Sequence, residues 1–528
     1  RPLVLSVCKG FKEGFWPWAT TKHDYPQTWD NSHRPLRDET HYSFLREQRD
    51  EELKLKQYSE AFGPNLLPRM YSEPIGVVPK PHSNKLRLVN DLSAGKFSLN
   101  SMIPLEEGTV KLDGMRSFGR ILRRARLLFP HEPLTLFKSD ISRAYRLLPM
   151  HPLWQIKQIV TIDGMRHVDR CNCFGGRTGC RLFFTFMCLV LWIADHVFHI
   201  KDLLAYVDDT FSWEFSSKTL FYPPYQTFFP WKQTKLLMLW DDLGIPHEFR
   251  KQVHGQTLTI IGFNLNTINM TLNIDPEKKA ELLQAIELFC AKTKTRHTLR
   301  DFQRLAGWIN WALNAQPRLR PGLASLYSKI AGKQDPYGLI WVNCRVKRDL
   351  HWIAKNINLG TGIHLLEAIA WGPTDADLTI YTDASPLGYG FWTPKYNSGF
   401  HAPLPEHPSQ TPIFFFEAYA VCAALWWAIT TTSTTYTKRI AIFTDNTNTV
   451  QIFNTLKAHG IYNKLLLFTS DLLIESHADL RVYHIPGVTN KIADMLSRHY
   501  ITALQQLYPT LVISQFTLPA TVQGALAP

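Results

Sequence analysis

With 528 residues, 45% of them hydrophobic and 12% aromatic, the chain is too long for one ordinary domain and too apolar to be mainly disordered. Its 58 Lys and Arg against 45 Asp and Glu leave a formal charge of +13, a surplus that attracts polyanions, nucleic acid foremost. Eight cysteines in so long a chain exclude a disulfide scaffold, and Cys171, Cys173, Cys180 and Cys188 lack the paired spacing of a zinc site and read as core residues.

The opening RPLVLSVCKG lacks the charged-then-apolar layout of a signal peptide, so an intracellular, reducing location in cytoplasm or nucleus is expected. The chain also starts without Met, as a piece of a longer product would. Residues 1–70 are polar and aromatic, with Asp50, Glu51 and Glu52 placed on a solvated helix. The stretch SEPIGVVPKPHSNKLRLVNDLS reads as two short strands about a Pro- and Asn-containing turn. LTLFKSDISRAYRLLPM reads as a strand ending at Asp140 and then a helical turn. The longest apolar run, Leu182 to Ile193, is too short to span a bilayer, and no membrane partner is expected.

LLAYVDDTFSW reads as an apolar hairpin with Asp208 and Asp209 at its tip, and TLTIIGFNLNTINMTLNI is again strand-like. Helical spacing then runs from Asp275 to Trp311, opened by Asp275-Pro276, and Pro317, Pro321 and Gly322 punctuate the stretch after it. A second α/β unit starts near Trp371. It holds the strands LTIYTDAS and RIAIFTDN, the apolar helix FFFEAYAVCAALWWAI between them, and VYHIPGVTNKIADMLSR at its end. Beyond Tyr500 the tail shows no evident chemistry.

Two carboxylate sets carry the chemistry. Nucleotidyl transfer needs a deprotonated 3′-hydroxyl, in-line attack and a neutralised pyrophosphate, which two divalent ions about 4 Å apart supply when carboxylates converge on them. Asp140 at a strand end and Asp208 with Asp209 at a hairpin tip can converge so, and charges inside such apolar flanks are costly unless cations or solvent offset them. Alone, VDD is simply a polar turn of the kind Asp favours.

YVDD at 206–209 resembles the catalytic box of reverse transcriptases, and FKSDISRAYRLLPMHP is similar to their first palm motif. The resemblance implies an α/β (α+β multidomain) right-hand polymerase of fingers, palm and thumb, with Asp140, Asp208 and Asp209 as catalytic metal ligands. It implies that Lys80 and Arg87 hold an incoming dNTP and that Tyr145 excludes a ribose 2′-hydroxyl. It further implies that Gly175, in CFGGRTGCRLFFTFM, admits close backbone approach to the nucleotide, and that Lys251 protonates pyrophosphate. Phe174 departs from the family, standing where retroviral members carry Gln. Without the resemblance, Lys80, Arg87 and Lys251 read as solvated charges and Tyr145 as a core residue. IIGFNLN is similar to the hairpin that grips the primer end. The helices from Asp275 to about Leu326 would then be a thumb, where Lys292, Lys294, Arg296, Arg300 and Arg304 either track phosphates or form a plain solvated face.

The second set is Asp383, Glu417, Asp445 and Asp494, in a strand, an apolar helix, a second strand and a terminal helix. Glu417 is the only charged residue between Gln410 and Lys438, and an unpaired carboxylate there needs a reason: a bound cation is one, helix-end solvation the other. The order resembles ribonuclease H, which implies hydrolysis of RNA in hybrids with these four acids as metal ligands and His484 as a catalytic group that activates water or releases product. HIPGVTNKIADMLSR is similar to the ribonuclease H of retrotransposons.

Together the motifs run in order over more than 400 residues, and the chain resembles a retroelement reverse transcriptase with ribonuclease H, DIRS-like before long-terminal-repeat. The expected organisation is an N-terminal extension (1–70), fingers and palm (71–272), thumb and connection (273–370), ribonuclease H (371–500) and a tail (501–528). The lack of protease and integrase segments fits a fragment. Expected partners are RNA and DNA template-primers, RNA–DNA hybrids and dNTPs, and the expected cofactors are two Mg2+ (or Mn2+) per site. Two alternatives stand beside this: a relic that binds nucleic acid without catalysis, disfavoured by the presence of all seven acids, and an RNA-dependent RNA polymerase, disfavoured by Tyr145 and the ribonuclease H unit.

Overall fold

A computed structural model describes residues 2–20, 24–79, 85–293, 295–406, 411–431 and 438–526. Lys80 and Lys294, both expected to meet phosphates, lie outside the described residues. The chain divides into two compact units, Arg1–Ile261 with Leu265–Met270, and Gly262–Asn264 with Thr271–Pro528. Both mix helices and sheets, as the α/β expectation required.

In the first unit four antiparallel strands lie in the order His247–Gly255, Leu134–Ile141, Asp209–Phe215, Leu204–Tyr206. Their apolar residues pack against the helices Met115–Leu128, Gly179–His196 and Trp231–Asp242. Phe118 meets Phe211 edge-on at 5.1 Å, and Gln233 Nε2 donates to Ser139 Oγ at 3.1 Å beneath the sheet. The helix Gly179–His196 extends past the apolar run seen in sequence at both ends, and Arg181 in its first turn forms an ion pair with Glu107. It and Ile413–Thr431 are long and apolar enough to cross a membrane by length and composition, yet both pack into cores: Phe183, Met187 and Val190 in one, Phe415, Val421 and Leu425 in the other. Cys171 and Cys173 are buried, Cys180 and Cys188 half-buried, and all eight cysteines are free.

In the acidic run expected on a solvated helix, Asp50 and Glu51 are exposed, but Glu52 is not. On the helix Glu39–Lys54, Glu52 bridges Arg143 (2.8 Å) and Arg146 (2.6 Å), and Arg146 also holds buried Asp169 at 2.8 Å. Arg146 lies next to Tyr145 on the turn after Asp140, so N-terminal residues brace that turn. Removing one partner from a buried ion pair costs about 3–5 kcal/mol, because the other charge is left uncompensated.

The second unit starts with helices. Pro276–Cys290 is capped by Asp275, and Leu299–Ala312 by reciprocal Thr298 and Asp301 bonds. A six-stranded sheet comes next, in the order Asp479–His484, Arg439–Thr444, Leu378–Ala384, Gly388–Thr393, Ser398–Pro403, Val512–Gln515. The first three strands are parallel to one another and the middle hairpins antiparallel. The tail thus has a structural part. Val512–Gln515 pairs with Ser398–Pro403, and Phe516 meets Phe391 edge-on at 5.0 Å. The helix Ile413–Thr431 lies against the Leu378–Ala384 strand, burying Phe415 through Leu425.

Candidate active sites

In the first unit, strand register builds the site. Asp140 is the direct cross-strand partner of Asp209, and Tyr206 pairs with Asp209 to close the hairpin, leaving Asp208 at the tip. The turn is tight enough to hold Val207 at φ +57°, a left-handed conformation that β-branched residues resist at a cost of about 1–3 kcal/mol. Burial raises the carboxyls of Asp208 and Asp209 above their ordinary value, and the charge of Asp140 adds to it for both. Two lysines answer this charge. Lys251 Nζ lies 2.7 Å from Asp140 Oδ1, and Lys138 Nζ lies 3.7 Å from Asp209 Oδ1. Lys251 sits where the ladder with Leu134–Ile141 slips between His247 and Gln252, and an irregularity of this kind re-aims side chains.

Tyr145, on the turn Ala144–Leu147, stacks on Phe174 with ring centroids 4.8 Å apart and an interplanar angle of 24°. Burial raises its hydroxyl well above the usual phenol value. Gly175 is at φ +101°, and a Cβ there would stand 2.8 Å from the carbonyl oxygen of Asn90; its own carbonyl accepts from Asn100 Nδ2 at 2.8 Å. Only glycine fits this close to the end of the strand Leu86–Asn90. Arg87 is exposed on that strand opposite Val78, and no contact joins it to the three acids among the described residues. Lys138 and the Phe174 stack were missed. Lys138 was legible, because it lies two residues before Asp140 and so faces the same side of the strand.

In the second unit, Asp383 near the end of one strand, Asp445 just past the end of its parallel neighbour and Glu417 from the apolar helix bring carboxylate oxygens within 4.8 Å of one another. Asp383 and Glu417 are each 6% exposed, whereas Asp445 is more open. Burial, reinforced by neighbouring charges, pushes Glu417 up to about 9 and Asp383 up to about 6. Ser497 Oγ donates to Asp383 Oδ2 at 2.5 Å, and Thr444 Oγ1 donates to Glu417 Oε2 at 3.4 Å. Neither hydroxyl was singled out in the sequence.

Asp494 is not among the acids whose oxygens lie within 4.8 Å of one another. Its carboxylate is paired with Arg498 Nε at 2.7 Å, although its charge contributes to the raised Asp383. His484 is exposed at the end of its strand, in register with Thr444, which precedes Asp445. The loop after it closes on Asp445: a Cβ at Gly487 would lie 2.9 Å from its Oδ2.

Among the described residues no Lys or Arg forms an ion pair with Asp383, Glu417 or Asp445, although the charge of Arg498, itself paired with Asp494, reaches Asp383 at longer range. Three oxygen donors with no cation in ion-pair contact are the chemistry that hard divalent ions such as Mg2+ and Mn2+ satisfy. This has a pH consequence. Glu417 binds its proton up to about pH 9 when folded but only to about 4.5 when unfolded, so the folded state holds the extra proton between those values. Metal-free protein is therefore expected to lose stability as pH rises through that window. A bound cation displaces the proton, so the rise in unfolding midpoint on adding Mg2+ should be larger at about pH 8.5 than at about pH 6. Thermal unfolding with and without EDTA checks this, and equal rises at both pH values would contradict it.

A scan of the sequence against protein-family models finds no match, and a search of curated proteins finds none. Among solved structures, the chain is similar to a foamy viral protease-reverse transcriptase dRH in complex with double-stranded DNA, at 16% identity, covering 88% of this chain and 72% of that one, with a TM-score of 0.47. It is also similar to a foamy viral protease-reverse transcriptase with double-stranded DNA (17% identity, 88% and 86% covered, TM-score 0.46). The same protein with RNA/DNA hybrid gives 16% identity, 91% and 79% covered and a TM-score of 0.42. Likenesses this distant carry no argument about function, which rests on the two acid clusters themselves.

Proposed function

We propose that the chain is an RNA- and DNA-templated DNA polymerase of a retroelement, DIRS-like or long-terminal-repeat, that also cleaves RNA in RNA–DNA hybrids. The observation carrying this reading is the pair of carboxylate sets, one in each compact unit: Asp140 in register with Asp209 beside Asp208, and Asp383, Glu417 and Asp445 within 4.8 Å. Divalent ions, Mg2+ or Mn2+, would supply an ionised nucleophile and charge neutralisation at phosphorus in both sites.

The side chains divide the remaining work. Asp140, Asp208 and Asp209 hold the ions for synthesis. Lys251, now resting on Asp140 at 2.7 Å, is placed to turn to pyrophosphate and give it a proton. Lys80 and Arg87 grip the triphosphate, and the Gly175 loop approaches the nucleotide. In the second unit Asp383, Glu417, Asp445 and Asp494 hold the ions. That role requires Asp494 to leave Arg498, while His484 at the rim moves protons or product. The first unit would then contain fingers and palm, with thumb, connection and ribonuclease H in the second.

Tyr145, locked by its stack on Phe174, excludes a 2′-hydroxyl. Primer extension tests the reading. With dNTPs on RNA and DNA templates, product is expected in Mg2+ or Mn2+, and rNTPs should be refused. Tyr145→Ala should raise the relative use of rNTPs at least about tenfold. Preference for rNTPs by the unaltered chain would mark an RNA polymerase, and no synthesis under any condition a binding relic.

A further inference from the structure

Arg143 stands between Asp140 and Tyr145 at φ +58°, a left-handed conformation that a residue with a Cβ adopts only at a cost. It opens the short turn Ala144–Leu147, and Arg146 N donates back to its carbonyl at 2.8 Å. Such a conformation persists where the surroundings over-determine it. Side chains of the N-terminal stretch do so here. Arg143 Nη1 donates to Glu51 Oε1 at 2.9 Å, and its Nη2 donates to Glu52 Oε1 at 2.8 Å and Gln57 Oε1 at 2.9 Å.

Glu52 grips the turn twice. Its Oε1 takes Arg143 and its Oε2 takes Arg146 Nη2 at 2.6 Å, so one carboxylate spans the two residues that flank Ala144 and Tyr145. Gln57 repeats the pattern: it accepts from Arg143 and donates from Nε2 to the Arg146 carbonyl at 3.1 Å. Asp169 anchors the other arm of the Arg146 guanidinium, taking Nη1 at 2.8 and 2.9 Å. Charge-assisted bonds shielded from water fix geometry well, and the side chains of Arg146 and Glu52 are only 10% and 13% exposed. Between the two clamped arginines, the Tyr145 ring stacks on Phe174 and tilts against Phe183 with centroids 5.6 Å apart.

We propose that Glu52 is a positioning residue for sugar selection: through Arg143 and Arg146 it holds Tyr145 at the height above the Asp140 strand at which the ring excludes a ribose 2′-hydroxyl. The inference rests on the reading of Tyr145 as the sugar gate, and it gives a residue outside the palm motifs a part in substrate choice. A gate that rejects one hydroxyl works over less than about 1 Å, so a turn that relaxes loses discrimination before it loses the fold.

Glu52→Gln keeps the volume but leaves one arginine without a carboxylate oxygen. In primer extension by the full chain, the ratio of kcat/KM for rNTPs to that for dNTPs is expected to rise about threefold or more. Arg143→Ala and Arg143→Gly both remove the guanidinium, yet only glycine takes the left-handed turn freely. Alanine should therefore raise the ratio about threefold and glycine less than about 1.5-fold. A brace that merely stabilises the fold would lower the unfolding midpoint and leave the ratio where it was. That result would overturn the proposal, as would equal ratios in the two Arg143 variants, which decide alone if Glu52→Gln does not fold.

Labelling with 3-fluorotyrosine gives a readout that needs no catalysis. The 19F signal lost in Tyr145→Phe should move in Glu52→Gln, as it should in Phe174→Ala, and an unmoved signal in Glu52→Gln would overturn the clamp. If the unaltered chain extends no primer with either nucleotide class, the polymerase reading fails, and the 19F signal alone decides whether Glu52 positions the ring.

Discussion

Asp208→Asn is expected to abolish DNA synthesis, lowering the extension rate by about a thousandfold or more, while hybrid cleavage changes less than about twofold. Asn keeps the volume of Asp at the hairpin tip but cannot hold a divalent ion with the same charge. The three-acid arrangement leaves no substitute, since Asp140 and Asp209 are already members of it, each facing a lysine. The substitution should not harm the fold. Burial and Asp140 already hold the Asp208 carboxyl above its usual range, so removing its charge relieves repulsion. Gel-resolved extension and cleavage on one preparation, with an unfolding curve, give all three readouts. Lost synthesis together with a lowered midpoint would assign Asp208 a structural part instead.

The mirror experiment has an effect of the same size. Asp445→Asn should reduce hybrid degradation by about a thousandfold and leave extension within about twofold. Asp445 is the open member of the trio, the one placed to meet both ion and substrate, and Gly487 approaches so closely that the loop leaves little room for a displaced ligand. Glu417 is a poorer target for this test, because its raised pKa means that Glu417→Gln changes stability as well as metal binding. Loss of both activities in Asp445→Asn would argue against independent sites.

Much of the site could be read from short-range pattern. The apolar flanks of Asp208 and Asp209 specify a hairpin, and alternation along LTLFKSDI puts Lys138 and Asp140 on one face, so the Asp140–Asp209 pairing follows once the two strands are neighbours. Glu417 stood out because nothing else on its helix is charged. What escaped the sequence depends on partners far away along the chain. Glu52 reads as one of three solvated acids until Arg143 and Arg146 fold against it. Ser497 looks like a helix-end serine until Asp383 arrives. The tail strand Val512–Gln515 has no alternation strong enough to announce it, and its order comes from the edge of Ser398–Pro403 that it covers. Arg498 lies four residues after Asp494, a spacing that signals a helical ion pair, so that contact was readable.

Two pockets, one in each unit, are expected to bind divalent ions through their acids. Anomalous diffraction from crystals soaked in Mn2+ tests this most directly. Peaks are expected at Asp140 with Asp208 and Asp209, and at Asp383 with Glu417 and Asp445, with the first set lost in Asp208→Asn and the second in Asp445→Asn. Mn2+ bound elsewhere, with neither set occupied, would contradict it.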